Sequence, residues 1–364
     1  MFTPTSLIRP EIAALEAYTP ILPLEVLAER LGLPVEQLVK LDANENPYGP
    51  APRVRAALAA ESHYHIYPDP EHTRLRAALA EYTGLPAAMI LCGAGADELI
   101  DLILRLILTS GDVVLDCPPT FGMYRFDTEV CGGRVVEVAR CADFSLDVAA
   151  LETAARTHQA RVVFLAAPNN PSGNPLPPEQ LERLLALPLL VVVDEAYLEF
   201  AGVGQGYAPW VARYANLAVL RTFSKWAGLA GMRVGYGIFP AWLSEQLWKM
   251  KQPYNVSVAG QVAALTSLEE RAWLLGNVAR IVAERERLLP LLAALPYLEP
   301  QPSVANFILC RVVGRNARDL KLALEQQGIL VRYYHNDLLR DYIRISIGTP
   351  AQSEALLAAL SALS

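Results

Sequence analysis

Leu190-Val191-Val192-Val193-Asp194-Glu195-Ala196-Tyr197 is an apolar run that stops abruptly at a carboxylate and a phenol. Four apolar residues with no polar alternation predict a strand buried on both faces, as in a parallel sheet covered by helices. Asp194 then stands at the carboxyl edge of that sheet, where open α/β sheets bind their ligands. It could equally begin a helix over Glu195–Phe200 as its cap. The two roles are compatible.

Outward from this strand the same grammar repeats. Short apolar runs predict strands at Ala88–Leu91, Val113–Asp116, Arg134–Val138, Arg161–Ala166, Leu189–Asp194, Leu217–Arg221 and Val234–Ile238. Helical periodicity fills the gaps at Pro52–Ala60, Arg74–Tyr82, Asp97–Leu108, Gly122–Glu129, Leu146–Ala155 and Pro178–Leu187. The expected class is α/β, with a mainly parallel, mixed seven-stranded sheet flanked by helices. After helices at Trp242–Lys251 and Val258–Ala293, alternation resumes at Asn306–Val313, Asp319–Gln327, Tyr342–Gly348 and Pro350–Leu363. That tail predicts a second, small α/β domain. The turn-rich stretch Leu41–Pro50 closes an N-terminal arm that carries a short helix, Leu24–Leu31. The expected division is an arm over 1–42 packing with the small domain, a large domain over 43–253 and a small domain over 254–364.

Composition narrows the function. The 364 residues are 53% hydrophobic, enough for a sizeable core, and carry a net charge of −7. Nucleic-acid binding would call for a clustered basic face, so none is expected. No apolar run reaches membrane-span length. The N-terminus lacks the basic-then-apolar layout of a signal peptide. Five cysteines form no Cys-x-x-Cys pair, which suits a reducing, cytoplasmic setting. His63 and His65 have no third ligand at metal spacing, so no metal is expected.

The chemistry concentrates at Arg221-Thr222-Phe223-Ser224-Lys225-Trp226-Ala227-Gly228-Leu229-Ala230-Gly231-Met232-Arg233. Most lysines are solvated surface groups. Lys225 differs in following a predicted strand, between hydroxyls and small residues. Desolvation there would lower its pKa and make it a nucleophile for a carbonyl. Gly93-Ala94-Gly95-Ala96-Asp97 follows another strand and opens a helix, whose free N–H groups suit a phosphate. It lacks the third glycine of a dinucleotide fingerprint, because Glu98 stands there. Asn170, in Ala167-Pro168-Asn169-Asn170-Pro171-Ser172-Gly173, lies at a third strand end. An amine for an aldehyde, a carboxylate for a pyridine nitrogen, and hydroxyls with a guanidinium for a phosphate are the parts that hold pyridoxal phosphate.

Together the motifs resemble those of fold-type I pyridoxal-phosphate aminotransferases, in particular the histidinol-phosphate aminotransferase family. The likeness runs nearly end to end: Leu41-Asp42-Ala43-Asn44-Glu45-Asn46-Pro47, Tyr67-Pro68-Asp69-Pro70, Gly95-Ala96-Asp97-Glu98, Pro119-Thr120-Phe121-Gly122-Met123-Tyr124, Asn169-Asn170-Pro171-Ser172-Gly173, Asp194-Glu195-Ala196-Tyr197, Thr222-Phe223-Ser224-Lys225 and Ile343-Arg344-Ile345-Ser346-Ile347-Gly348-Thr349. The resemblance implies that Lys225 bonds the cofactor aldehyde and later moves the proton. Asp194 would pair with the pyridine nitrogen, Tyr197 and Asn170 with the ring hydroxyl, and Phe121 would stack on the ring. Gly95, Ala96, Asp97, Thr222, Ser224 and Arg233 would hold the phosphate, helped by Tyr67 from the second subunit of a homodimer. Arg344, with Arg332 as its helper, would bind the acidic end of the substrate, with Asn170 and Asn46 beside it. The implied substrates are L-histidinol phosphate and 2-oxoglutarate, in histidine biosynthesis. Aromatic amino-acid aminotransferases and threonine-phosphate decarboxylases share nearly every motif. A non-catalytic cofactor-sensing module would need a fused DNA-binding segment. One departure stands out: the family's arm tyrosine after Ser/Thr-Pro is replaced by Ile21 here, leaving Tyr18 as the nearby phenol.

Overall fold

The computed structural model describes residues 3–15 and 22–363. The seven expected strands all form: β2 (Ile90–Gly93), β3 (Val113–Asp116), β4 (Arg134–Glu137), β5 (Val162–Ala166), β6 (Leu190–Asp194), β7 (Leu217–Thr222) and β8 (Gly235–Ile238). They assemble in the order β2-β8-β7-β6-β5-β3-β4, with β8 antiparallel to both neighbours and the rest parallel. Both faces are covered. Val191 and Val193 of β6 enter one apolar core, Leu190 and Val192 the other. The missing polar alternation in β5 and β6 reflects that double burial.

A five-stranded sheet forms the second layer, in the order β1-β11-β12-β10-β9. Its strands are β1 (Val39–Leu41), β9 (Leu298–Pro300), β10 (Phe307–Val312), β11 (Ile329–Tyr333) and β12 (Tyr342–Ser346). Strand β1 comes from the arm and pairs in parallel with β11. Neither β1 nor β9 is legible in the sequence. Each has three residues, too few for a period, and β9 ends at Pro300, a residue tolerated only at sheet edges and strand ends.

Two helical expectations change. The long helix expected over 258–293 breaks at Glu270 into Val258–Glu269 and Arg271–Ala293. The first half packs on the helices Pro52–Ala60 and Thr73–Thr83, beside the seven-stranded sheet. The helix after Asp194 is only Leu198–Ala201 and starts from Tyr197, so Asp194 does not cap it. Asp194 instead accepts the Ala196 N–H at 3.0 Å.

Candidate active site

Five strand ends, β2, β3, β5, β6 and β7, bring the chemistry together at the carboxyl edge of the large sheet. Asp194 ends β6 and is 6% exposed. Its Oδ2 accepts the Tyr124 hydroxyl at 2.7 Å. Burial pushes its carboxyl up to about 6. Among the described residues it has no cationic partner in ion-pair range. The sequence reading left Tyr124 out. It stands in the quoted Pro119–Tyr124 motif without a role of its own, on the helix Met123–Val130, and its ring stacks on Phe164 at 4.9 Å. Its hydroxyl is what distinguishes it.

Lys225 follows β7. Its Nζ donates to the Ala43 carbonyl at 3.3 Å and lies 5.9 Å from the centre of the Tyr197 ring. Burial, and then the charge of Arg344, lowers its pKa to about 8. The Tyr197 hydroxyl accepts from Asn44 Nδ2 at 3.0 Å, which leaves its own proton free to be donated. Asn44 holds φ +55°, a left-handed conformation that asparagine tolerates better than most residues. That turn buries its side chain against Ser346 Oγ at 2.9 Å.

The glycine turn precedes the helix Ala96–Ile107, whose first N–H groups have no intrahelical partner. Gly95 has φ +82°, and a Cβ there would lie 2.6 Å from Arg233 Nη2. Only glycine lets that guanidinium close over the helix start. Arg233 itself is left-handed, at φ +52°, and pairs with Asp97 at 2.8 Å. Thr222 Oγ1 and Ser224 Oγ lie 2.9 Å apart on the other side. Ala96, Asp97, Phe121, Asn170, Asp194, Tyr197, Thr222, Ser224, Lys225 and Arg233 all line one cavity of about 140 Å³. It has phosphate donors at one end, an unpaired acid at the other and a low-pKa amine beside them. Those residues fit pyridoxal phosphate.

A larger cavity of about 660 Å³ adjoins it and shares Lys225, Tyr197, Asn170 and Phe121. Arg332 and Arg344 are directly opposed on the antiparallel strands β11 and β12. Cross-strand partners share a face, so both guanidinium groups line this cavity. Arg344 is 6% exposed. It donates to Asn170 Oδ1 at 2.6 Å and to the Asp42 carbonyl at 2.7 Å. Neither arginine has a carboxylate partner among the described residues, and two like charges side by side call for an anion.

Two expected residues lie elsewhere. Asn46 donates to the Trp226 carbonyl at 2.9 Å, accepts from the Tyr48 N–H and does not line either cavity. Its place is taken by Asn44, a choice that two asparagines two residues apart do not reveal in sequence. Tyr67 is 78% exposed, stacked on Tyr254 at 4.5 Å and outside its own chain's cavities. Tyr18 and Ile21 fall outside the described residues.

The profile of the family "Aminotransferase class I and II" matches residues 36–360. A histidinol-phosphate aminotransferase of Roseiflexus castenholzii is 56% identical over 361 residues, covering 97% of both chains. A chloroplastic histidinol-phosphate aminotransferase of Nicotiana plumbaginifolia is 52% identical, covering 98% of this chain and 87% of its own. Among solved structures, the Sinorhizobium meliloti histidinol-phosphate aminotransferase in complex with pyridoxal 5′-phosphate superposes with a TM-score of 0.89. It is 30% identical and covers 99% of each chain. The fold is shared more widely: L-threonine-O-3-phosphate decarboxylase of Porphyromonas gingivalis superposes with a TM-score of 0.78 at 22% identity, covering 89% of this chain and 98% of its own.

Proposed function

Because the chain belongs to the class I and II aminotransferase family, we propose that it moves an amino group between L-histidinol phosphate and 2-oxoglutarate, giving imidazole acetol phosphate and L-glutamate. The single observation that carries this reading is the Arg332–Arg344 pair. Two guanidinium groups without carboxylate partners among the described residues face the cavity that also holds Lys225. A guanidinium fork binds phosphate or carboxylate bidentately, so one pair serves both half-reactions. The two relatives described above, at 56% and 52% identity, carry the same activity in their names.

Pyridoxal phosphate, when bound, supplies an aldehyde for the amino group and a ring that withdraws electrons from the substrate's Cα. The chain does the rest. Thr222, Ser224, Arg233 and the start of the helix at Ala96 would hold the phosphate. Asp194, fixed by Tyr124 and the Ala196 N–H, would offer its buried carboxylate to the pyridine nitrogen, a cationic partner that favours the ionised acid. Tyr197 and Asn170 would donate to the ring hydroxyl, and Phe121 would pack against the ring. Lys225 Nζ, with its pKa near 8, carries the proton leaving the substrate's Cα. A base of that strength is matched to near-neutral pH. Arg344 and Arg332 fix the acidic end, which sets the Cα–H over the lysine.

The same reading makes the protein a cytoplasmic homodimer, with Tyr67 reaching the cofactor phosphate of the other subunit. The ring's 78% exposure supports that placement. It also keeps the first division at 42 and moves the second, expected at 253. The entry of β1 into the five-stranded sheet supports the arm's place, while the packing of Val258–Glu269 favours a second boundary nearer Glu270.

A substrate panel on purified protein tests the function. Histidinol phosphate is expected to exceed phenylalanine in kcat/KM by orders of magnitude, and borohydride reduction to fix the cofactor on Lys225. Equal rates with phenylalanine or tyrosine would make it an aromatic amino-acid aminotransferase. A label on another lysine would sink the site.

A further inference from the structure

Phe121 and Asn170 line both cavities of the site, yet they come from separate turns. Phe121 follows β3 and Asn170 follows β5. These strands are parallel neighbours, but their pairing stops at Leu115 and Val163. One buried amide holds the two turns together beyond it. Asn169 is 0% exposed. Its Oδ1 accepts from Thr120 Oγ1 at 2.9 Å and from Arg140 Nη2 at 3.1 Å. Its Nδ2 donates to the Pro119 carbonyl at 3.0 Å and to Ser172 Oγ at 2.7 Å. Two bonds accepted and two donated are the full capacity of a primary amide. Among the described residues, every hydrogen bond between 117–121 and 167–173 runs through Asn169.

Arg140 backs that amide from outside the site. Its Nε donates to the Cys117 carbonyl at 3.2 Å and its Nη1 to the Phe144 carbonyl at 3.0 Å. Its own N–H donates to the Pro118 carbonyl at 2.8 Å. Each side-chain nitrogen thus meets a neutral oxygen, a planar fan that a lysine does not provide. Neither Asn169 nor Arg140 lines either cavity of the site. Whatever they do to a bound cofactor, they do through Phe121 and Asn170.

We propose that Asn169, backed by Arg140, is a positioning residue that locks Phe121 and Asn170 into one unit against the cofactor ring. This rests on the placement of those two residues in the function proposed above, and adds what keeps them in mutual register. An apolar side chain could fill the same space, but it would fix no orientation. Four directed bonds do, because a fully satisfied buried polar network rigidifies the segments it joins. Two turns that slide independently would let the ring tilt between its stacking partner and its hydrogen-bond donor. A shift on the order of 1 Å is enough to misplace reacting atoms.

The test reads the bound cofactor directly, by its Kd and by the circular dichroism of its visible band, with turnover beside them. The dichroic signal depends on how the chain holds the ring. Asn169→Ala is expected to lose most of that signal per bound cofactor and to weaken Kd about three- to tenfold. Its kcat at saturating cofactor is expected to fall roughly ten- to a hundredfold. Arg140→Met is expected to move all three the same way by less. Ser172→Ala removes one bond of the same amide but none between the turns. It is expected to lower Tm while signal, Kd and kcat stay near the parent's. If Asn169→Ala does not fold, Arg140→Met decides alone. Parental signal and Kd in the Asn169 and Arg140 variants, however much Tm falls, overturn this inference and leave the proposed function standing. An equal loss of signal in Ser172→Ala overturns it in the same way. A parent that binds no pyridoxal phosphate overturns the proposed function itself.

Discussion

Arg221 and Arg344 are 5% and 6% exposed, yet they belong to regions built on opposite terms. Beneath the large sheet's edge, Arg221 donates to Glu195 at 2.7 Å, and Glu195 also accepts the Tyr207 N–H. Charge there is closed within the chain. In the cleft, Arg344 donates, among the described residues, only to a carbonyl and an amide oxygen. Charge there is left open. Lys225 and Asp194 belong to the same open region, since neither has an ion-pair partner among the described residues. A buried ion without a counter-ion costs stability. The cleft keeps several, and the cost is offset only when cofactor and substrate supply the missing partners.

The contrast breaks first under paired deletions. Arg221→Met leaves Glu195 buried and uncompensated, so unfolding by denaturant should show a loss of about 3–5 kcal/mol. Arg344→Met removes an unpaired buried cation and leaves only neutral acceptors behind. Its stability should change by less than half as much, while kcat/KM for histidinol phosphate collapses. Equal destabilisation by both changes would erase the distinction between the regions.

Asp194→Ala sharpens the same point within the cleft. Its carboxylate has no work in the fold beyond accepting from Tyr124 and Ala196. Stopped-flow turnover should fall by about two to three decades, with a smaller change in cofactor affinity. Near-normal turnover would show that the acid is not used on the ring.

The closed region was harder to read from sequence than the open one. Asp194, Lys225 and Arg344 sit at ends of apolar runs or among hydroxyls and glycines, where a charged residue breaks the local pattern. Glu195, Arg221 and Glu199 sit beside the same motifs and look no different, but they are structural. Nothing local marks which carboxylate in Asp194-Glu195 faces the ligand. The alternation of faces along β6 and on into Glu195 decides it, and in a strand buried on both faces that alternation leaves no trace in polarity. Long-range choices were hidden for a related reason. Tyr124 meets Asp194 from seventy residues away, and Asn44 reaches Tyr197 from more than a hundred and fifty. The arginine pair was the exception. The resemblance named Arg344 with Arg332 as its helper, and direct cross-strand registry is what brings them together.

Lys225 supplies a test with a pH axis. Its pKa is lowered from 10.5 to about 8 in the folded chain. Below pH 8 the amine is protonated in both states, and the folded state bears the whole penalty for burying that charge. Between 8 and 10.5 the unfolded chain binds the extra proton, so stability rises with pH until the penalty is gone. Lys225→Met should therefore stabilise the cofactor-free protein at pH 7 by about 2–3 kcal/mol, allowing for partial exposure of the side chain. The gain should shrink to nothing by about pH 10.5. Calorimetric melting of both proteins across that range checks it. A variant less stable at pH 7 would mean the lysine contributes to the fold and is not held there at a cost.

The smallest expected effect concerns Tyr67, an expected site residue that its own cleft does not contain. Tyr67 lies on Tyr254, with most of its surface open. If its hydroxyl completes the other subunit's phosphate site, Tyr67→Phe removes one hydrogen bond and nothing from the fold. Cofactor retention should weaken by about 1 kcal/mol, some fivefold in Kd. Dilution separates this from a local effect. As the parent dissociates, it loses the same contact, so parent and variant should converge in cofactor affinity once sedimentation shows monomer. A constant fivefold gap in both states would place the hydroxyl's role within one chain. No gap in either would make the cleft complete without it, leaving Tyr67 as a ring packed on Tyr254.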